Sequence, residues 1–279
     1  MELHTLLSAR PQNCSISNWF EKIAQCLLNK VSLVINGENY RFIEVEFYYQ
    51  NDSDHNDPCV HGDPLQKTCH LWYFHRSGGT YRSGTFKGLD ITFAEKDVFG
   101  GIIIRGIENE NGEVIDGPCL CVNHMLAKTN KSHVRELDNL VTPYDIWNAK
   151  SPLFIREHES LPQRNIIDCP RVGLTLRYRN KAQQMSNYIM KNYRYLSAPR
   201  KTKKGKVYSA LSLHTKGKTS EEIQAITAST KKAIGNYIGF FQEGQKCNDF
   251  STYIGKKLDA QSIARLYGTW WNVYGDESQ

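Results

Sequence analysis

The sequence predicts an α+β protein: a curved antiparallel β-sheet with helices packed around it, followed by a small, basic, mainly helical C-terminal region. Three observations carry that reading. From residue 43 the apolar side chains Ile43, Val45, Phe47 and Tyr49 alternate with Glu44, Glu46 and Tyr48, the period of a strand buried on one face. Further short apolar runs follow, punctuated by Gly78-Gly79, Gly84, Gly88 and Gly100-Gly101. Charge then divides the chain: residues 1–150 hold 14 Lys+Arg against 19 Asp+Glu, and residues 151–279 hold 21 against 10.

In chain order, Ser15–Lys30 reads as an amphipathic helix. Ser15 or Ser17 can cap it, and Trp19, Phe20, Ile23, Ala24, Leu27 and Leu28 recur at helical spacing. Val31–Ile35 and Tyr40–Tyr49 form a hairpin around Asn36-Gly37, whose residues tolerate the positive φ of a tight turn. Gln50–Thr68 is a polar loop, and Cys69–His75, Gly84–Phe93 and Gly100–Ile107 are short strands. Asn109–Gly117 is a turn region, after which Gly117-Pro118 opens a helix or compact loop through Leu126. Val172–Tyr178 reads as a late strand and Ala182–Tyr195 as a helix. Ser197–Lys206 is a basic connector, beyond which Leu211–His214, Ser220–Thr227, Thr230–Phe241 and Asp259–Tyr267 are helical.

The domains expected are therefore 1–196 and 197–279. No run of about eighteen apolar residues exists, which excludes a transmembrane helix and argues against a membrane partner. The N-terminus lacks the basic start and apolar stretch of a secretory signal, so an intracellular location, cytoplasm, nucleoid or nucleus, is expected. Eight cysteines without a paired framework are read as reduced thiols.

Two carboxylates and a tyrosine on one strand face are unusual, because a solvent-facing strand ordinarily shows Lys, Thr and Ser. Glu44, Glu46 and Tyr48 instead suit the wall of a cleft where a water is activated beside a flat ligand. The order of motifs around this strand resembles the alkyladenine (3-methyladenine) DNA glycosylase family over roughly residues 15–196. The family's helix end, Glu-x-Glu strand and Asp-His loop are similar to Leu27-Leu28-Asn29-Lys30, Glu44-Val45-Glu46-Phe47-Tyr48 and Asp52-Ser53-Asp54-His55. Ile103-Ile104-Arg105-Gly106, Gly117-Pro118-Cys119-Leu120-Cys121 and Pro170-Arg171-Val172-Gly173 are similar to its later motifs in the same order, and Tyr193-Arg194-Tyr195 stands near the family's Trp-Arg-Phe.

The resemblance implies a monofunctional glycosylase that flips damaged, chiefly alkylated, purines out of double-stranded DNA and leaves an abasic site, acting as a monomer without cofactor. Glu46 would be the general base and Arg105 would orient it or the water. Tyr48 would stack on the base, and His55 would close the other side of the pocket, with His61 a rival in the same loop. The family's wedge-and-asparagine segment has no clean counterpart. Its nearest material is Tyr81–Asp90, which makes Tyr81 the candidate wedge and places Asp90 near the asparagine position, an acceptor where the family has an amide. Lys87 and Asp90, with His75 and Tyr81, could also form a polar constellation of their own.

Cys59, His61, Cys69, His70 and His75 are metal-ligand types, but their spacing matches no common zinc template, so no metal is expected. Cys119 and Cys121 read as packing residues. Lys216-Gly217-Lys218-Thr219-Ser220 lacks the upstream glycine of a phosphate loop and reads as a cap for the helix that follows. Thr219–Phe241 has the outline of a helix-turn-helix with Lys231 and Lys232 opening its second helix. Arg194–Lys206 carries six Lys/Arg in thirteen residues, and Arg194, Arg200, Lys201, Lys203, Lys204 and Lys206 are the candidates for tracking a DNA backbone. Two other classes fit the same residues: a non-catalytic nucleic-acid-binding protein on this scaffold, and a hydrolase of a small ligand using Glu46, His55 and Asp90.

Overall fold

Alternation and capping, the local signals above, are where the architecture starts. The computed structural model describes residues 2–51, 53–158, 161–176 and 182–275. The chain divides into two compact units, Met1–Asn56, Val60–Ile166 and Tyr195–Ala198 forming the first, and Asp57–Cys59, Ile167–Arg194 and Pro199–Gln279 the second. The second unit thus takes in 167–194, which the sequence places with the first domain.

The first unit is a large antiparallel sheet with helices against it. After α1 (Glu2–Ser8), the Ser15 side chain accepts from Asn18 N–H and starts α2 (Ile16–Asn29), as its capping position predicts. The hairpin β1 (Val31–Ile35) and β2 (Glu38–Gln50) turns through Asn36 at φ 48° and Gly37 at φ 86°. Then come β3 (Trp72–Phe74), the small ribbon β4 (Arg76–Ser77) and β5 (Thr80–Tyr81), β6 (Leu89–Thr92), β7 (Phe99–Asn109) and β8 (Val114–Asp116). Pro118 opens α3 (Pro118–Lys128), and α4 (Val134–Leu140) and β9 (Leu153–Glu157) complete the run.

β2 is the spine. It pairs antiparallel with β1 near its start and with β7 along almost its whole length, from Tyr40↔Asn109 to Gln50↔Phe99. β6 adds to β7 and β3 to β6, while β9 extends the sheet beyond β1. The apolar stripe of β2 faces α2: Phe20 stacks on Phe47 at 4.7 Å, and Trp19 meets Tyr49 edge-on at 5.4 Å. Fully burying each such ring contributes about 1.5–3 kcal/mol. Trp19 Nε1–H also donates to Leu6 O at 2.8 Å, which ties α1 down.

Several sequence expectations change. The Asn109–Gly117 turn region contains strand β8. The expected helix 182–195 stops early as α5 (Ala182–Tyr188), and β11 (Arg194–Leu196) follows β10 (Ile167–Cys169) as an unexpected strand. β11 forms because β2 has a second edge to fill: Ser197 N–H donates to Ile43 O at 3.0 Å, and Tyr195 packs edge-on against Phe47 at 5.4 Å. Sheet completion here outweighs helical spacing. Of the expected strand Val172–Tyr178, residues 172–176 are irregular and the rest lie outside the described residues, as does Asp52 of the acidic loop.

In the second unit α6 (Lys206–Thr215), α7 (Ser220–Thr227) and α8 (Lys231–Gly244) share a core of Ala210, Leu213, Ile223 and Ile234. Thr219 caps α7 through a box with Glu222, the role read for it in place of phosphate binding. α7 and α8 have a helix-turn-helix outline, but Lys231 at its second helix is paired with Glu221 at 2.8 Å. α9 (Ala260–Tyr274) crosses α8 where both carry glycine: a Cβ on Gly268 would lie 1.9 Å from Phe241 O, and one on Gly244 2.0 Å from Arg265 O. Gly268→Ala must push the helices apart, so a loss of at least about 1–3 kcal/mol is expected, read as a lower urea midpoint. An unchanged midpoint would mean that the crossing is looser than this.

Candidate active site

The polar face of β2 does not look out on water; it is buried. Glu46 is 0 %, Glu44 1 % and Arg105 7 % exposed. A buried carboxylate needs a compensating partner. Arg105, from β7, supplies it, with Nε 2.8 Å from Glu44 Oε1 and 3.2 Å from Glu46 Oε1, and Nη1 3.4 Å from Glu46 Oε2. Tyr48 Oη–H donates to Glu46 Oε2 at 3.0 Å. Tyr48 is only half-buried, so this ring is the part of the group nearest solvent.

Register explains how one guanidinium spans two acids. Phe42 pairs with Ile107, Glu44 with Gly106 and Val45 with Ile104, so the ladder is irregular just where Arg105 lies. Such irregularities re-aim side chains. Glycine at 106 permits the close approach, since a Cβ there would meet Ile43 Cγ1 at 3.0 Å. Cys121 of α3 lies over the same pair: burial raises its thiol pKa, the Glu44 carboxylate raises it further, and Arg105 opposes both. The thiol stays protonated and serves as packing, as the sequence suggests, and all eight cysteines are free.

The same face continues across the sheet. Glu46 pairs with Ile103 and Ile103 with Asp90, so the three side chains form one row over β2, β7 and β6. Asp90 is 2 % exposed. Its Oδ1 is 2.6 Å from His75 Nε2, and its Oδ2 accepts from Gln66 Nε2 at 3.3 Å. His61, from the loop after β2, stands edge-on to His75 at 4.1 Å with Nδ1 3.5 Å from Tyr73 Oη. Part of His61 reaches solvent, yet desolvation of its ring and the neighbouring His75 bring the imidazole pKa down to about 4, against the pull of Asp90. His61 is therefore neutral at pH 7. His61, the rival to His55 in the sequence, joins this face, and Gln66 and Tyr73 join it without having been singled out, because only the folded loop brings them there.

Other candidates are placed elsewhere. His55 is buried on the α2 side of β2, against Phe20 and Tyr49, with Nδ1 2.9 Å from Tyr49 O. That is the opposite face from Glu46, so the pocket role given to His55 is corrected, and His61 is the imidazole over the polar face. Tyr81 does not project as a wedge: its hydroxyl is 2.5 Å from Asp138 Oδ2, and Arg76 lies over its ring at 4.7 Å. Of the constellation expected of Lys87, Asp90, His75 and Tyr81, the structure joins His75 to Asp90 at 2.6 Å and gives the Tyr81 hydroxyl to Asp138. Phe86, 71 % exposed, is the protruding aromatic of that segment. The Cys/His group is split, His61 and His75 standing together at 4.1 Å while His70 joins Ser8 at 2.9 Å and Trp147 at 3.0 Å.

The basic stretch divides as well. Arg194 is fully buried, donating to Lys204 O at 3.1 Å and Gly205 O at 3.4 Å. Arg200 donates to Ala225 O, and Lys206 donates to Pro199 O at 2.7 Å and to Thr227 O. Arg194 and Lys206 are taken up by the chain's own carbonyls, a correction to their expected role in tracking a DNA backbone, whereas Arg200 is exposed beside its one carbonyl partner. Lys201, Lys203 and Lys204 are exposed.

Among the described residues no helix is long and apolar enough to cross a membrane. No family model matches the chain. An uncharacterized protein of Acanthamoeba polyphaga mimivirus is 36% identical over 173 residues, which cover 57% of this chain and 79% of that protein. By that extent of likeness the chain belongs to the same family as the mimivirus protein.

Proposed function

We propose that the protein is a monofunctional DNA glycosylase that hydrolyses the N-glycosidic bond of damaged, chiefly alkylated, purines in double-stranded DNA, on an alkyladenine-glycosylase-like fold. The observation that carries the reading is the group Glu46–Tyr48–Arg105: a desolvated carboxylate beneath a half-buried tyrosine, held in place by a guanidinium from the next strand. The ordered motifs that flank it supply the second support.

In this reading a flipped nucleotide lays its base on Tyr48. An electron-rich ring favours a cationic alkylated purine by about 1–2 kcal/mol once desolvated. Glu46 takes the proton of a water whose oxygen bonds to the anomeric carbon, and the electrons of the breaking C–N bond leave with the base. The products are a free base and an abasic site. Arg105 fixes the carboxylate through two of its nitrogens, and Asp90 presents an acceptor to the ligand's edge from across Ile103. Phe86, as an exposed apolar ring, takes over from Tyr81 as the side chain suited to fill the gap a flipped base leaves.

The test is incubation of the purified protein with end-labelled duplexes containing one hypoxanthine or one ethenoadenine, and with methylated DNA, followed by alkali. Strand breaks at the lesion support the reading; intact strands on every lesion with DNA still bound would favour a scaffold used for recognition alone. Replacing Lys201, Lys203 and Lys204 together with Ser is expected to weaken binding to all sequences alike. For every phosphate that the replaced lysines neutralise, the slope of log K against log salt should become shallower by roughly 0.9. A slope unchanged by the triple replacement would remove these lysines from the interface.

A further inference from the structure

We propose that His61, His75 and Asp90 form a binding site for one divalent transition-metal ion, of the zinc type, with a coordination position left open for a water or ligand.

The three residues are far apart in the chain, on the loop after β2, just beyond β3, and on β6, and the fold brings a ligand atom of each to within 4.8 Å of the others. Tetrahedral zinc with bonds of about 2.0–2.2 Å needs its donors about 3.3–3.5 Å apart. The widest gap must therefore close by roughly 1.5 Å, and the 2.6 Å between His75 Nε2 and Asp90 Oδ1 must open by less than about 1 Å. His61 is exposed on a loop, so the closing movement falls on the residue freest to make it.

The donor set selects the ion. Two imidazole nitrogens and one carboxylate oxygen suit zinc, iron, cobalt or nickel, whereas calcium and magnesium call for oxygen donors throughout. Three protein ligands are the number found in sites that keep a fourth position for water or substrate. Supporting contacts of the kind that orient metal ligands are in place: Gln66 Nε2 on the second Asp90 oxygen at 3.3 Å, and Tyr73 Oη 3.5 Å from His61 Nδ1. Room for the ligands is kept by glycine, since a Cβ at Gly88 would lie 2.4 Å from the His75 ring and one at Gly101 2.6 Å from Asp90 Oδ2. Without a metal the same atoms make only a His75–Asp90 hydrogen bond with the His61 ring edge-on beside it, which is the competing account.

This site shares Asp90 with the Glu46 reading, but its measurement needs no DNA and no turnover, so the two can fail separately. Full-length protein stripped with a chelator is titrated with Co²⁺, following its d–d absorption and equilibrium dialysis, and then challenged with Zn²⁺. One equivalent of Co²⁺, displaced by Zn²⁺, is expected. His61→Ala should weaken binding at least tenfold while leaving the melting temperature of the stripped protein unchanged. Asp90→Asn and His75→Ala should abolish stoichiometric binding, and Cys59→Ser with Cys69→Ser should leave it intact. Zn²⁺ should raise the melting temperature of the wild type and not of the His61→Ala protein. If the wild type binds no stoichiometric ion, or if binding survives His61→Ala or disappears in the cysteine variant, the proposal is overturned.

Discussion

Glu46→Gln is expected to reduce base excision by about 10²–10⁴-fold, the usual contribution of a positioned general base, while DNA binding stays at the wild-type level. The substitution separates chemistry from structure unusually well here. Glutamine keeps the length of the side chain, and its amide oxygen can still accept from Arg105. The Tyr48 hydroxyl, which donates to Glu46 Oε2 at 3.0 Å, can rotate to accept from the new amide. Arg105 retains the Glu44 carboxylate at 2.8 Å, so no buried charge is stranded. Loss of strand breaks with binding retained assigns the base to residue 46. Unchanged excision would remove Glu46 from that role and direct the same experiment to Glu44, which shares the face and the guanidinium.

Removing the guanidinium should have the opposite profile, a large loss of stability. Arg105→Leu leaves Glu44 and Glu46 side by side in a buried layer, at 1 % and 0 % exposure, without their cation. Breaking a buried ion pair from one side costs about 3–5 kcal/mol, a large share of the ~5–15 kcal/mol that holds an ordinary domain folded. Chemical denaturation should show the midpoint falling accordingly. Converting all three residues to neutral ones, Arg105→Leu with Glu44→Gln and Glu46→Gln, should recover most of the stability, because the penalty comes from the stranded charges. If the single and the triple variant are equally unstable, packing around Arg105 rather than its charge is the important part. Arg105→Lys should fall between, since a point-charge ammonium lacks the planar fork that engages both acids.

Much of the secondary structure was legible because its signals are local. Alternation placed Glu44, Glu46 and Tyr48 on one face, Ser15 and Thr219 announced their helices by side-chain caps, and Asn36-Gly37 announced its turn. A period of two states which side chains share a face, but it does not state what covers that face. Whether Glu46 lines an open cleft or lies buried depends on segments far away in the chain. The same limit accounts for His55 and His61, two histidines in one polar loop of which folding carries one to the apolar side and the other to the polar side.

What the sequence by itself determined is therefore the strand, its two faces, the acids and tyrosine on one of them, and the acidic and basic halves of the chain. Only the tertiary structure decided that Arg105 would bridge both acids, since that follows from an irregular register between β2 and β7. It alone joined His61 to His75 and Asp90, bonded Arg194, Arg200 and Lys206 to chain carbonyls, and tied Tyr81 to Asp138. The physical reason is common to all of these. A charged or aromatic side chain takes its role from the partners that compensate it once water is removed, and those partners are chosen by long-range packing rather than by neighbours in sequence.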